Sequence, residues 1–226
     1  TFAYLIKRII RVLPGPIISS DPLRMLRAFR FAANLGFEIE SKTLINISLN
    51  KTRLNESAAE RIWYELTLFF KTPDTLPLLK IMHDCGLLDY IFPRSDETFS
   101  QYQKVESLLK NLEKTFPKYA NVFSSRNFLN KHYLIKLSVL LMAQNSPLRP
   151  RLTRDFPQEH NLQFSNTEKR LVQQAISGAR SLTEMYLSAE LNKNYELVQK
   201  IHEEILASVI LFITNYDISK NAEPIF

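Results

Sequence analysis

Glycine is scarce in this 226-residue chain, with only four residues, and cysteine occurs once. So few glycines argue against a sheet protein built on tight hairpins, whose turns need residues that tolerate positive φ. With a single cysteine, Cys85, no intramolecular disulfide can form, and the chain suits a reducing compartment. No run of eighteen apolar residues is present, so no membrane-spanning helix is expected, and the start lacks the pattern of a secretory signal. These absences lead to an expectation of a soluble, cytoplasmic protein. Hydrophobic residues make up 45% and charged residues 23%, a balance that excludes disordered and fibrous classes. The abundance of Leu, Lys, Glu, Arg and Ala points to an all-α, multi-helix array. The chain opens on Thr1 within a basic amphipathic stretch, Phe2 to Val12, which methionine removal or truncation would each explain.

Acidic charge is lacking where basic charge is densest. The net charge is +6, and residues 1–30 hold six basic residues (Lys7, Arg8, Arg11, Arg24, Arg27, Arg30) against one acid, Asp21. An anionic partner fits that asymmetry.

Punctuation divides the chain into helices. Ser19 to Gly36 reads as one, capped by Ser20 or Asp21, with Pro22 in the first turn and Gly36 at the end. Ser57-Ala58-Ala59-Glu60 has the spacing of a capping box, and Ser165-Asn166-Thr167-Glu168 repeats it. Asp74 is placed to cap a helix that stops at Gly86. Glu97 to Phe116 reads as a charged surface helix, Tyr133 to Ala143 as an apolar core helix, and Asn194 to Tyr216 as a long amphipathic one. The composition shift at Pro93-Arg94-Ser95 marks a boundary, giving an N-terminal unit over 19–93 and a C-terminal one over 94–226. No alternating pattern long enough for a sheet is present.

Asp21, Arg24, Arg27 and Arg30 recur every three residues and wind slowly around one side of the first helix. Phe31 and Leu35 lie among them, which predicts a helix partly covered on both faces and arginines in need of specific partners. A carboxylate only accepts hydrogen bonds and a guanidinium only donates them. Adenine and cytosine present an amine beside a ring-nitrogen acceptor, so Asp21 and Arg24 together would favour A and C over G and U. The alternative is a set of surface ion pairs on a helical protein-interaction scaffold.

The segment Asp21-Pro22-Leu23-Arg24-Met25-Leu26-Arg27-Ala28-Phe29-Arg30-Phe31-Ala32-Ala33, followed by Leu35-Gly36-Phe37-Glu38-Ile39, resembles a signature of class II tRNA nucleotidyltransferases (CCA-adding enzymes) and bacterial poly(A) polymerases. Glu60-Arg61-Ile62 with Glu65-Leu66, and Cys85 to Pro93, resemble further family motifs. The likeness covers residues 15 to 93 and is weaker beyond Asn130. It implies a neck, body and tail array: a linker over 1–18 continuing from a head domain, a nucleotide-recognition domain over 19–93, and an RNA-binding body over 94–226. It also implies that Asp21 and Arg24 read ATP or CTP and that Arg27 and Arg30 complete the contacts. RNA, as a tRNA or another RNA 3′ end, would be the partner. One departure stands out, since Ser20 occupies the place of a glutamate usual in the family.

The family's chemistry uses a Gly-rich head with paired aspartates holding divalent metal, Mg in the usual case, and no such pair occurs here. Glu38 and Glu40 have the spacing without the setting. The chain is therefore expected to act catalytically only with a head domain on the same or another chain, which would supply the Mg. His83-Asp84 raises a third reading, a metal phosphohydrolase, yet the remaining ligands are not visible and helix-end roles suffice. Cys85 lacks triad partners and reads as core. Trp63, Tyr64, Phe69 and Phe70 have helical core spacing. Arg149, Arg151 and Arg154, in a proline-broken loop, are further candidates for RNA contact.

Overall fold

The computed structural model of the chain describes residues 6–13, 15–92, 98–115, 117, 120–124, 126–142, 164–187 and 203–215. Arg149, Arg151 and Arg154 lie outside them. The chain divides into two compact units, Thr1–Phe99 with Ala143–Ser165, and Ser100–Met142 with Asn166–Phe226. Among the described residues the architecture is all-helical apart from one small strand pair that the sequence pattern did not announce. There β1 (Ile9–Ile10) runs parallel to β2 (Glu38–Ile39), with Ile9 opposite Glu38 and Ile10 opposite Ile39.

The first unit is built around α1 (Ile17–Ser20), α2 (Arg24–Leu35), α3 (Ser41–Asn50), a 3-10 segment at Lys51–Glu56, α4 (Ala59–Lys71), α5 (Leu76–Asp84) and α6 (Leu87–Ile91). The single helix expected from Ser19 to Gly36 is in fact two. Asp21 is extended, with φ −153° and ψ 92°, and neither Ser20 nor Asp21 caps α2 by its side chain. Proline is the cause: the Pro22 ring clashes with a helical conformation at the residue before it, so Asp21 leaves the helix. The chain re-enters through a turn in which Asp21 O accepts from Arg24 N–H and Pro22 O from Met25 N–H, both at 3.1 Å. At the far end Gly36 has φ +63°, and its N–H reaches back to Ala32 and Ala33, the left-handed stop that glycine permits.

α2 lies against α4, and the two run in the same direction, since Asp21 sits near Arg61, Arg30 near Glu65, and Asn34 near Thr72. Met25, Leu26 and Phe29 of α2 and Ile62, Leu66 and Phe69 of α4 are almost wholly buried. Phe70 meets Phe69 and Phe92 edge-on, with centroids 5.3 and 6.3 Å apart. Trp63 packs on Phe164 at 4.2 Å, whereas Tyr64 is 62% exposed, so three of the four aromatic residues expected in the core are there and the fourth faces outward. Two of the expected N-caps fall on other residues. The helix after the 3-10 segment is capped by Ala58, one residue later than a Ser57 box requires, because both Ser57 and Ala58 are extended. Thr75, not Asp74, precedes α5, and Asp74 takes a left-handed φ of 55°.

The second unit contains nearly all of α7 (Phe99–Thr115), with α8 (Ala120–Phe123), α9 (Arg126–Met142), α10 (Asn166–Leu187) and α11 (Glu203–Asn215). α9 begins seven residues earlier than the Tyr133 start read from apolarity. Its burial explains that spelling: Leu134, Leu137, Val139 and Leu140 are core, yet Lys136 is only 2% exposed. The Lys136 ammonium is tolerated because Glu106 of α7 accepts from it at 2.7 Å, and losing either partner would strand a buried charge. Glu168 accepts from the Tyr133 hydroxyl at 2.6 Å, and α10 starts at Asn166, directly after Ser165. Where α10 meets α11, Gly178 lies under Ser208, whose hydroxyl donates to Gln174 O at 3.1 Å, and a Cβ at 178 would run into that hydroxyl.

Two outcomes follow for stability. Gly178→Ala should destabilise the second unit by about 1–2 kcal/mol in chemical denaturation, overpacking outweighing the gain in helix propensity. Tyr133→Phe should cost about 1.5 kcal/mol, the lower range for a hydrogen bond to a charged acceptor. Burial first, and the Glu168 bond second, raise the Tyr133 pKa above its ordinary value near 10. That contribution is therefore complete below about pH 10 and is lost as pH climbs toward the folded-state value. A pH series of unfolding curves extended to alkaline conditions, in which Tyr133→Phe removes part of the alkaline loss, checks the sign.

Candidate functional site

Proline-driven extension of the chain sets Asp21 at the head of the arginine helix. The Arg24 guanidinium is steered from behind, where its NH1 donates to Ile17 O at 2.7 Å and to Ser20 Oγ at 3.0 Å. Ser20, the departure from the family pattern, thus still orients Arg24, through a hydroxyl rather than a carboxylate. Asp21 Oδ2 lies 3.8 Å from Arg24 Nε, and its Oδ1 lies 3.7 Å from Arg61 of α4. Both pairs are long and partly exposed, worth about 0–1 kcal/mol each, and a ligand offering better-aligned groups can replace them.

Arg30 is held differently. Its Nε donates to Glu65 Oε2 at 2.6 Å, and both side chains are largely buried, 14% and 10% exposed. Arg27 leans on the other oxygen of Glu65 at 3.7 Å and is 42% exposed. The four residues of the stripe are thus divided: Asp21 and Arg24 form a loosely tied acceptor-donor pair at one end, Arg27 remains accessible, and Arg30 is committed to the protein. Phe31 and Leu35 are 38% and 52% exposed, so the polar side of the helix is only partly covered. Phe31 carries the Arg30 guanidinium 4.1 Å from its ring centroid, with that of Arg27 at 5.9 Å. Sequence reasoning assigned no part to Glu65 or Arg61. The signal was there, since Arg61 and Glu65 are four apart on one helix and α4 must pack against the arginine helix.

A cleft of about 180 Å3 opens beside the start of α3, lined by Arg11, Gly15, Glu40, Lys42, Thr43 and Asn46 among others, and none of the arginine stripe lines it. Glu40 there pairs with Arg11 at 3.5 Å, and Glu38 is exposed. His83 Nδ1 lies 2.8 Å from Asp89 Oδ2, outside hydrogen-bond alignment, and its ring stands edge-on to Phe99. Among the described residues no group of three or more His, Cys, Asp or Glu is placed to hold a metal ion. Cys85 is buried and donates to Met82 O, and burial pushes its thiol pKa up, away from nucleophilic use. No described helix is long and apolar enough to cross a membrane.

Residues 36–99 match the family model described as the probable RNA and SrmB-binding site of polymerase A. The chain is 36% identical over 114 residues to a CC-adding tRNA nucleotidyltransferase of Geobacter sulfurreducens, spanning 49% of this chain and 26% of that protein. It is 41% identical over 86 residues to the multifunctional CCA protein of Psychromonas ingrahamii, spanning 36% and 21%. The chain thus matches about a quarter of the length of these curated relatives. A CCA-adding enzyme with ATP shares the fold with TM-score 0.64 at 20% identity, over 93% of this chain and 48% of that one. The Thermotoga maritima CCA-adding enzyme complexed with tRNA does so with TM-score 0.62 at 19% identity, over 97% and 52%. Together the matched segment, the curated relatives and the shared helical fold identify a class II tRNA nucleotidyltransferase-like region in this chain.

Proposed function

We propose that this chain is the nucleotide-recognition and RNA-binding part of an enzyme that adds A or C to RNA 3′ ends. One observation carries the reading: a carboxylate and a guanidinium, Asp21 and Arg24, stand side by side, with the arginine anchored from behind and the carboxylate held only by long ion pairs. That pair offers one acceptor beside several donors, the complement of the adenine or cytosine edge. ATP and CTP are the substrate nucleotides, consistent with solved relatives described with each. Arg27 contacts the nucleotide or the RNA phosphate from its exposed position. Arg30, tied to Glu65, orients the others. RNA, a tRNA or a like 3′ end, is the partner, in keeping with the matched binding-site model. Catalysis requires a head domain, on the same or another chain, that brings the metal. The division into a recognition domain over 19–93 and an RNA-binding body over 94–226 belongs to this proposal, as does RNA contact by Arg149, Arg151 and Arg154.

The ion pairs of Arg27 and Arg30 with Glu65 are also what a protein-interaction scaffold would use, and ligand binding separates the two readings. In the chain joined to its head domain, Arg24→Ala should weaken ATP and CTP binding by about 1–3 kcal/mol, roughly 5- to 150-fold, measured by calorimetric titration. Asp21→Asn, which adds a donor where only acceptors stood, should reduce the preference for ATP and CTP over UTP and GTP by about tenfold or more. RNA affinity should fall steeply with salt. A nucleotide preference unchanged in both variants would remove the template assignment, and salt-insensitive behaviour without RNA retention would favour the scaffold.

A further inference from the structure

Resting on the reading just given, we propose that Phe31 is a base-stacking residue for the RNA strand, receiving a nucleobase near its 3′ end beside the nucleotide read by Asp21 and Arg24. The ring is a large apolar group left 38% exposed on the polar side of α2. It is not idle there, because the Arg30 guanidinium lies 4.1 Å from its centroid and Arg27 approaches within 5.9 Å. Arg30 is itself fixed by Glu65 at 2.6 Å, so the ring rests on a cation that does not wander. Stacking needs such a pre-positioned aromatic plane, and single-stranded nucleic acid is bound by aromatic rings interleaved with arginines.

Position along the helix supports the same ligand. Phe31 is seven residues after Arg24, a spacing that returns to nearly the same side of an α-helix about 10 Å further on. Successive contacts to one strand need side chains that face the same way along the helix, as these two do. What the patch offers is a partly exposed aromatic ring beside the accessible guanidinium of Arg27. A nucleotide unit, flat and anionic, complements both.

The test uses the full 226-residue chain with two labelled probes of equal length and charge, an oligoadenylate and an abasic strand. The unmodified chain should bind the oligoadenylate more tightly. Phe31→Leu, which keeps apolar bulk and removes the π face, should weaken oligoadenylate binding about five- to hundredfold, down to the abasic level, while Phe31→Tyr retains it. The salt dependence of Phe31→Leu should stay that of the parent, whereas Arg27→Ala should lower the slope by about 0.7, the loss of one single-strand phosphate contact. Equal affinity of the parent for the two strands overturns the inference, and so does a Phe31→Leu chain that still prefers the base-bearing strand. A Phe31→Leu chain with unchanged RNA binding but lost self-association overturns it in favour of a protein contact. Retention of neither strand by the parent defeats the RNA reading of the whole chain and this inference with it. Steep, salt-dependent binding without base preference defeats this inference alone.

Discussion

The carboxylate of Glu65 is the constraint on which the arginine face depends. It is nearly buried in α4, yet it meets two guanidiniums from α2, and the 2.6 Å bond to Arg30 fixes how one helix sits on the other. A carboxylate in that position is tolerable only because it is paired, and a buried Arg30 only because Glu65 faces it. The apolar seam of Met25, Phe29, Ile62, Leu66 and Phe69 supplies the larger burial energy but does not by itself specify register. The ion pair does, and so determines which arginines remain available to a ligand.

Availability is graded along the helix. At its head, Asp21 is held by pairs of 3.7 and 3.8 Å that water already weakens, so exchanging them for better-aligned groups costs little. Deeper along, Arg30 cannot be withdrawn from Glu65 without leaving a largely buried charge uncompensated. The same residue type at the same spacing therefore does different work. A repeating arginine pattern alone cannot separate these roles, because the partner that separates them lies thirty-five residues away on another element.

Much of the fold was legible. The Gly36 stop, the helix beginning at Asn166 and the core positions of α4 follow from local chemistry: a left-handed terminator, and apolar residues at helical spacing. What failed were inferences resting on a single polar side chain. Ser57 and Asp74 match cap patterns, but one extended residue too many and a left-handed backbone moved those two caps elsewhere. The break at Asp21 was readable in hindsight of Pro22 alone, since a residue before proline resists helix. The β1 and β2 pairing was not readable, because two-residue strands give no alternation to detect and depend on chain return after α2. For the site, Asp21 and the arginines were visible as types and spacing, whereas the Glu65 and Arg61 partnerships required the packing of α4 on α2.

That α2 and α4 point the same way has an electrostatic consequence of its own. Each helix concentrates about half a positive charge at its N-terminal end, and two such ends side by side reinforce rather than cancel. Co-directional neighbours repel mildly, and the offset comes from the buried seam between them. Both positive ends lie on the side where Asp21 meets Arg61, so they favour the Asp21 carboxylate standing there and help offset the two guanidiniums beside it.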